Sequence, residues 1–192
     1  WHPVFHTLLI WLVTRVWDSY PFAVCVQIAT FSAAMAYLTS TLNRRGVPAW
    51  LALGAHALVC ASLPVRNTLM YLGKDSAMSA AVVVLAAQAV NMLHTRGGWL
   101  KRPRNAVCFG LMLAAATLLR HNAILWTLPL LLCGLLCFPW GRRGAALAAG
   151  AAALALALVR GPLYGALDMV YPDNTTEESV GIPMTILWDV RA

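Results

Sequence analysis

Long apolar stretches dominate this sequence and limit what the chain can fold into. A helix needs about 20 apolar residues, within a range of about 17–25, to cross the hydrocarbon core of a bilayer. The first three stretches meet this requirement, and the later ones are at or below its lower bound. In chain order the six are residues 21–42, 47–64, 76–94, 105–119, 122–138 and 145–159.

The composition agrees with a membrane location. Hydrophobic residues make up 60% of the 192 residues and charged residues only 11%, whereas a soluble domain has about 45–50% apolar and about 25% charged residues. A water-soluble globule and a disordered chain are therefore excluded. We predict an all-α fold: a polytopic transmembrane bundle of about six spans over residues 21–163, preceded by an N-terminal interfacial helix.

The two ends of the chain and one tight turn complete this prediction. Residues 4–17 are apolar but short, and Trp11 and Trp17 favour a helix in the membrane interface within an extracytoplasmic segment 1–20; a shortened span is the alternative. Only Arg120-His121-Asn122 separates stretches 105–119 and 122–138, which predicts a hairpin. The small residues of stretch 145–159 favour close helix packing. Residues 164–192 are expected to begin an external segment.

The distribution of charge predicts the orientation. The chain carries a net charge of +7, with 14 basic and seven acidic residues. Eight of the basic residues and none of the acidic ones occupy three alternate loops, which the positive-inside rule assigns to the cytoplasm. Topology thus explains the positive charge, and no basic stripe with interleaved aromatic residues indicates a nucleic-acid partner. The eight are Arg44, Arg45, Arg96, Lys101, Arg102, Arg104, Arg142 and Arg143.

Two short polar motifs on the predicted outer face are candidates for chemistry. Lys74 and Asp75 combine a cation with a carboxylate at the membrane surface, which suits a phosphate-bearing substrate; the alternative is a helix start, where Asp75 interacts with the helix dipole. The guanidinium of Arg120 at the hairpin tip offers a planar fork of donors to a lipid-linked phosphate; the alternative is that this side chain snorkels to the interface.

His2 and His6 would share a helix face, but without a third ligand they predict no metal site. The five cysteines lie within apolar stretches and are interpreted as packing residues.

The motifs in combination resemble a known family. His2-Pro3-Val4-Phe5-His6-Thr7 opens the interfacial helix, Lys74-Asp75 follows in the next external loop, and Arg120-His121-Asn122-Ala123 forms the hairpin tip. This arrangement resembles the GT-C superfamily of membrane glycosyltransferases, in particular bacterial members similar to the polyprenyl-phosphate-sugar-dependent protein mannosyltransferases. The resemblance implies a cell-membrane enzyme with an extracytoplasmic active face. Such an enzyme transfers a sugar from a polyprenyl-phosphate carrier to an acceptor hydroxyl or amine.

The resemblance also implies roles for individual residues. A carboxylate can act as general base on the acceptor, which makes Asp75 the candidate catalytic residue. The implied donor substrate is a lipid-phosphate-linked sugar. A divalent metal is compatible with the family but has no sequence signal here. Enzymes of this superfamily usually carry the key acidic residue after the first transmembrane helix; we expect both to lie upstream of Trp1, so that the chain is a catalytically incomplete fragment. The implied substrate-binding residues are Lys74, Arg120, Asn122, His2 and His6.

Two other functions compete with this one. A transporter or flippase of a lipid-linked or anionic substrate would also be a helix bundle, but ion-coupled carriers need ionisable residues within the membrane. The predicted spans contain no Asp or Glu, and their notable polar residues are His56, Gln27, Gln88 and Asn91. A non-catalytic membrane assembly subunit is the third possibility, and it explains short motifs equally well.

Overall fold

The computed structural model of the protein describes residues 4–163. This part of the chain forms eight α-helices and contains no β-strand, which confirms the predicted all-α class. His2 and the predicted external segment 164–192 lie outside the described residues. The helices are α1 (Val4–Val16), α2 (Tyr20–Arg44), α3 (Ala49–Ala61), α4 (Leu63–Met70), α5 (Lys74–His94), α6 (Pro103–Leu119), α7 (Ile124–Leu136) and α8 (Arg142–Leu158).

The chain divides into two units, residues 1–157 and residues 158–192. The main core of the first unit is formed by buried side chains of α5, α6 and α8, among them Leu85, Phe109 and Ala148. A smaller cluster around Phe31 and Met35 joins α2 to α5. In the second unit the described residues include a short π-helix, Val159–Leu163.

Three helical stretches are long and apolar enough to cross a membrane: Tyr20–Arg44, Lys74–His94 and Arg142–Leu163. The pair α3 and α4 adds a fourth if the two helices form one bent span. The remaining apolar helices are shorter: α1, α6, and α7 together with the 3-10 turn His121–Ala123 that precedes it. By length and composition, therefore, the described residues provide three or four of the six predicted spans.

The second apolar stretch is broken where the sequence predicted one continuous helix. Helix α3 ends at Ala61, Ser62 is extended with φ −66° and ψ 135°, and α4 leaves at an angle of 65°. Pro64 explains the break, because a proline ring in a continuing helix would clash with the carbonyl four residues earlier and lacks the N–H for a helical hydrogen bond. In the first turn of a new helix the same residue is tolerated, and α4 runs on to Met70, beyond the predicted limit at residue 64.

Contacts between helices define two ends of the first unit. The Gln27 side chain in the first half of α2 donates a hydrogen bond to the Tyr71 carbonyl just before α5, at 2.9 Å. Beyond the last turn of α2, Arg45 donates to Asn91 near the end of α5, at 2.6 Å. Helices α2 and α5 therefore run parallel. We call the end where α5 begins the Asp75 end and the end where α5 finishes the arginine end.

The three basic loops predicted to share one side all meet at the arginine end. Arg45 from the α2–α3 loop and Arg102 from the α5–α6 loop line the same cavity. The α5–α6 loop also touches the α7–α8 loop: a Cβ added at Gly97 would lie 3.1 Å from the backbone nitrogen of Gly141 and 2.5 Å from Cβ of Phe138. Gly97 has φ 82°, a left-handed conformation that disfavours any other residue.

Candidate functional site

At the Asp75 end, an ion pair joins two motifs that are 45 residues apart in the sequence. A guanidinium nitrogen of Arg120 lies 3.2 Å from a carboxylate oxygen of Asp75. Both side chains are more than half exposed, at 53% and 56%. Such an exposed pair contributes only about 0–1 kcal/mol to stability. Its position at the surface leaves both groups accessible to a ligand.

The local structure explains why the two side chains meet. Gly73 precedes α5 in an extended conformation, and Asp75 follows within the first helical turn, where a carboxylate interacts favourably with the helix dipole. Arg120 directly follows the last residue of α6, with φ −145° and ψ 121°. This extended residue reverses the chain, and Ala123 then donates a backbone hydrogen bond to the Arg120 carbonyl at 2.9 Å. Because α5 and α6 are antiparallel neighbours, the start of one helix lies beside the end of the other.

The other residues predicted for this site lie nearby in the chain but differ in burial. Lys74 is the first residue of α5 and is partly buried. Asn122 belongs to the 3-10 turn after Arg120 and is exposed. His6 lies in the first turn of α1 and is buried, with only 5% of its surface accessible. The structure thus brings Asp75 and Arg120 into contact, whereas His6 lines a groove between α1, α2 and α5.

This groove separates α1 from α2 and α5 and has a volume of about 270 Å³. Its wall is mostly apolar, with side chains such as Leu9, Val13 and Val26. Ser76, the residue that follows Asp75, belongs to the same wall. The groove therefore lies at the Asp75 end, and its apolar wall suits an aliphatic chain.

Helix α1 covers the groove and has an apolar outer surface. Phe5 and Leu9 pack against the main core, whereas Trp11, Leu12 and Val16 are exposed, Val16 at 79%. The Arg15 guanidinium carbon lies 4.8 Å from the centre of the Trp11 ring, which is a cation–π contact. Exposed tryptophans beside a cation are typical of helices that lie at a membrane interface.

The groove wall also holds polar residues that were not among the predicted site residues, and two of these form hydrogen bonds to a neighbouring helix. Gln27 donates hydrogen bonds to the carbonyls of Leu69 and Tyr71, each at 2.9 Å. Ser76 is fully buried and donates to the Thr68 carbonyl at 2.6 Å. Both side chains satisfy carbonyls near the end of α4, where helical partners run out. The only sequence signal for this role was the presence of Gln27 within an apolar stretch.

No metal site accompanies this arrangement in residues 4–163: no three His, Cys, Asp or Glu side chains lie close enough together to hold an ion. The groups that the structure places at this end are the Asp75 carboxylate, the cations Lys74 and Arg120, and the apolar groove. Comparisons with protein-family models, curated proteins and solved structures found no match to this chain. The resemblance to the GT-C superfamily accordingly stays a prediction.

Proposed function

We propose that the chain is the membrane portion of a glycosyltransferase that moves a sugar from a polyprenyl-phosphate carrier to an acceptor on the extracytoplasmic face of the cell membrane. The observation that carries this proposal is the Asp75–Arg120 ion pair at the same end of the helices as an apolar groove, whose wall includes Ser76, the residue after Asp75. A lipid-phosphate donor has the matching shape, with a charged head next to a long aliphatic chain. An assembly subunit does not require this combination, whereas a flippase of a lipid-linked phosphate would need it too, so the test below separates transfer from flipping.

The roles follow from the chemistry of the transfer. Breaking the bond between the sugar and the carrier leaves a phosphate anion, and fixed cations stabilise this charge as it develops. Arg120 supplies a guanidinium whose planar fork matches phosphate oxygens, and Lys74 adds a second charge. Asp75 accepts the proton of the acceptor as general base. When a phosphate engages Arg120, the weak ion pair yields at a cost of no more than about 1 kcal/mol, which frees the carboxylate.

In this proposal the six apolar stretches cross the membrane six times, and the Asp75 end faces outward. Short helices such as α6 and α7 cross by means of the flanking turns and local thinning of the bilayer. Helix α1 lies in the outer interface with Trp11 directed to the lipid. The three basic loops then lie in the cytoplasm, as the positive-inside rule requires.

The test uses the purified full-length protein and a labelled polyprenyl-phosphate sugar. We expect Asp75→Asn to lower the rate of sugar transfer by about 10²–10⁴-fold, the usual contribution of a general base. Arg120→Gln should lower it by about 10²-fold or more, because an electrostatic stabiliser is lost. The free energy of unfolding should change by less than about 1 kcal/mol in both variants, since the pair is exposed. This contrast separates a catalytic role from a structural one.

Asp18→Asn and Arg66→Gln are matched controls, because they remove the same charges from exposed positions outside the ion pair. Both should transfer sugar at the wild-type rate. Wild-type activity in Asp75→Asn and Arg120→Gln would refute the proposed site. A protein that transfers no sugar but moves the labelled lipid across vesicle membranes would instead be a flippase.

A further inference from the structure

A second cavity, with a polar wall, lies at the arginine end, away from the proposed transfer site. It has a volume of about 460 Å³ and lies between the ends of α2 and α5 and the loop that leads into α6. Three arginines contribute to its wall: Arg44 and Arg45 from the end of α2, and Arg102 from the residue before α6. Asp75 and Asn91 lie 16 residues apart on α5, so the two ends are separated by about 24 Å at about 1.5 Å per residue.

One of these arginines is held in a defined position. Asn91 is buried, with 8% of its surface accessible, and its side-chain oxygen accepts a hydrogen bond from an Arg45 terminal nitrogen at 2.6 Å. The Asn91 amide nitrogen donates to the Ala87 carbonyl at 3.1 Å, which fixes the orientation of the amide. The Nε atom of Arg45 is also buried, and it has no hydrogen-bond partner within residues 4–163. A buried guanidinium donor without an acceptor is costly, so this guanidinium has unused capacity to donate a hydrogen bond.

The far wall of the cavity is also fixed by hydrogen bonds. The Thr95 hydroxyl accepts a hydrogen bond from the Trp99 backbone N–H at 2.9 Å and donates to the Asn91 carbonyl at 2.7 Å. The Asn105 amide donates to the Trp99 carbonyl at 2.8 Å. The loop that carries Arg102 is therefore tied to α5 and α6 on both sides, so the cavity does not have to be assembled when a ligand binds.

No carboxylate neutralises these cations in the part of the chain that the structure describes. The acidic residues between positions 4 and 163 are Asp18 and Asp75; Asp75 pairs with Arg120, and Asp18 lies in the link between α1 and α2, at the Asp75 end. The positive-inside rule explains why arginines occupy these loops. It does not require three of them to surround one cavity, nor one of them to be bound to a buried asparagine.

We propose that this cavity binds a phosphate-bearing anion. Guanidinium groups match phosphate oxygens in pairs, and basic pockets between transmembrane helices at the cytoplasmic surface bind anionic lipid headgroups. The ligand is either the headgroup of an anionic lipid or a soluble phosphate compound. Because the site is independent of the transfer site at the other end, it holds whether or not the protein transfers sugar.

The experiment measures binding of two probes to the purified full-length protein in neutral detergent. Short-chain phosphatidylglycerol tests the lipid source, inorganic phosphate tests the soluble source, and short-chain phosphatidylcholine is the reference lipid. Affinity is obtained from the rise in melting temperature during each titration. The wild-type protein should bind phosphatidylglycerol or phosphate, and Arg45→Gln/Arg102→Gln should bind that same probe about tenfold more weakly or worse, because each arginine near the membrane surface adds substantially to the attraction of an anion.

The matched control is Arg104→Gln/Arg143→Gln, which removes two exposed arginines from the same end but outside the cavity. Its affinity should stay within about twofold of the wild type, since unspecific surface attraction is weak. If Arg45→Gln/Arg102→Gln loses affinity for phosphatidylglycerol alone, the cavity is a lipid site. If it loses affinity for both probes, the cavity is a phosphate site open to soluble ligands. Equal affinity in the two double variants, or no preference of the wild type for either anionic probe over phosphatidylcholine, overturns the proposal. If Arg45→Gln/Arg102→Gln does not fold, Arg102→Gln alone, at an exposed position, decides the question by the same comparison.

Discussion

Three polar side chains within the apolar helices each form a hydrogen bond to a partner on another segment of the chain. Gln27 holds the end of α4, Ser76 binds a carbonyl of the same helix, and Asn91 holds Arg45. Each therefore joins two helices by a bond that an apolar side chain could not make. In a membrane interior such bonds contribute about 1 kcal/mol, with considerable variation.

Replacing Gln27 tests this role at the residue scale. Gln27→Leu should lower the free energy of unfolding by about 1 kcal/mol, because two carbonyls lose their donor. The measurement is the folded fraction during titration with a denaturing detergent. Thr30→Val is the control, since the Thr30 hydroxyl donates its hydrogen bond to the Val26 carbonyl of its own helix and joins no second helix within residues 4–163. An equal loss in both variants would contradict a role of Gln27 in joining α2 to α4.

At this scale the sequence predicted which residues are unusual but not what they bind. Asp75, Arg120, Gln27 and Asn91 all stand out as polar groups in or beside apolar stretches. The partner of Gln27, however, is a pair of backbone carbonyls that become available only because α4 ends at Met70. No local pattern encodes that pairing, since Gln27 and Tyr71 are 44 residues apart.

At the scale of helices, close backbone approach determines how α6 and α8 pack. A Cβ added at Gly110 of α6 would collide with the Ala148 carbonyl of α8, and no side chain could move to relieve the contact. The small residues of α8 were predicted to allow such packing. The structure shows that this holds for one face only, because Ala145 and Ala148 are buried whereas Leu147 and Leu154 are exposed.

Gly110→Ala tests this packing. The extra methyl group should cost about 1–3 kcal/mol of stability, because overpacking displaces a backbone. Gly150→Ala is the control: no atom lies within 4 Å of the Cβ position there, so the higher helix propensity of Ala should leave stability equal or raise it by up to about 1 kcal/mol. Unfolding in a denaturing detergent measures both. A Gly110→Ala variant as stable as the wild type would show that α6 and α8 are not in close contact.

Charge is segregated over the whole described unit. The three basic loops meet at the arginine end, about the length of α5 away from the Asp75–Arg120 pair. This agrees with the grouping of the three loops that the sequence predicted, while the side of the membrane that each end faces stays a prediction of the positive-inside rule.

Labelling from one side tests the orientation. In a background without the five native cysteines, His121→Cys should react with a membrane-impermeant maleimide in intact cells, and Arg143→Cys should react only after the membrane is opened. Both positions are exposed in the structure, so equal access in opened membranes is the built-in control. Labelling of both positions in intact cells would reject the six-span orientation.

The sequence by itself determined the all-α class, most helix bounds and the grouping of the basic loops, because long apolar stretches and loop charges can be read directly from the order of residues. It also singled out Asp75 and Arg120. Only the tertiary structure decided that these two side chains meet, that α3 and α4 are separate helices, and that Arg45 and Arg102 surround a cavity. These features depend on which helices are neighbours and which run parallel, and the relevant contacts join residues far apart in the chain, whose proximity is set by packing of the whole unit.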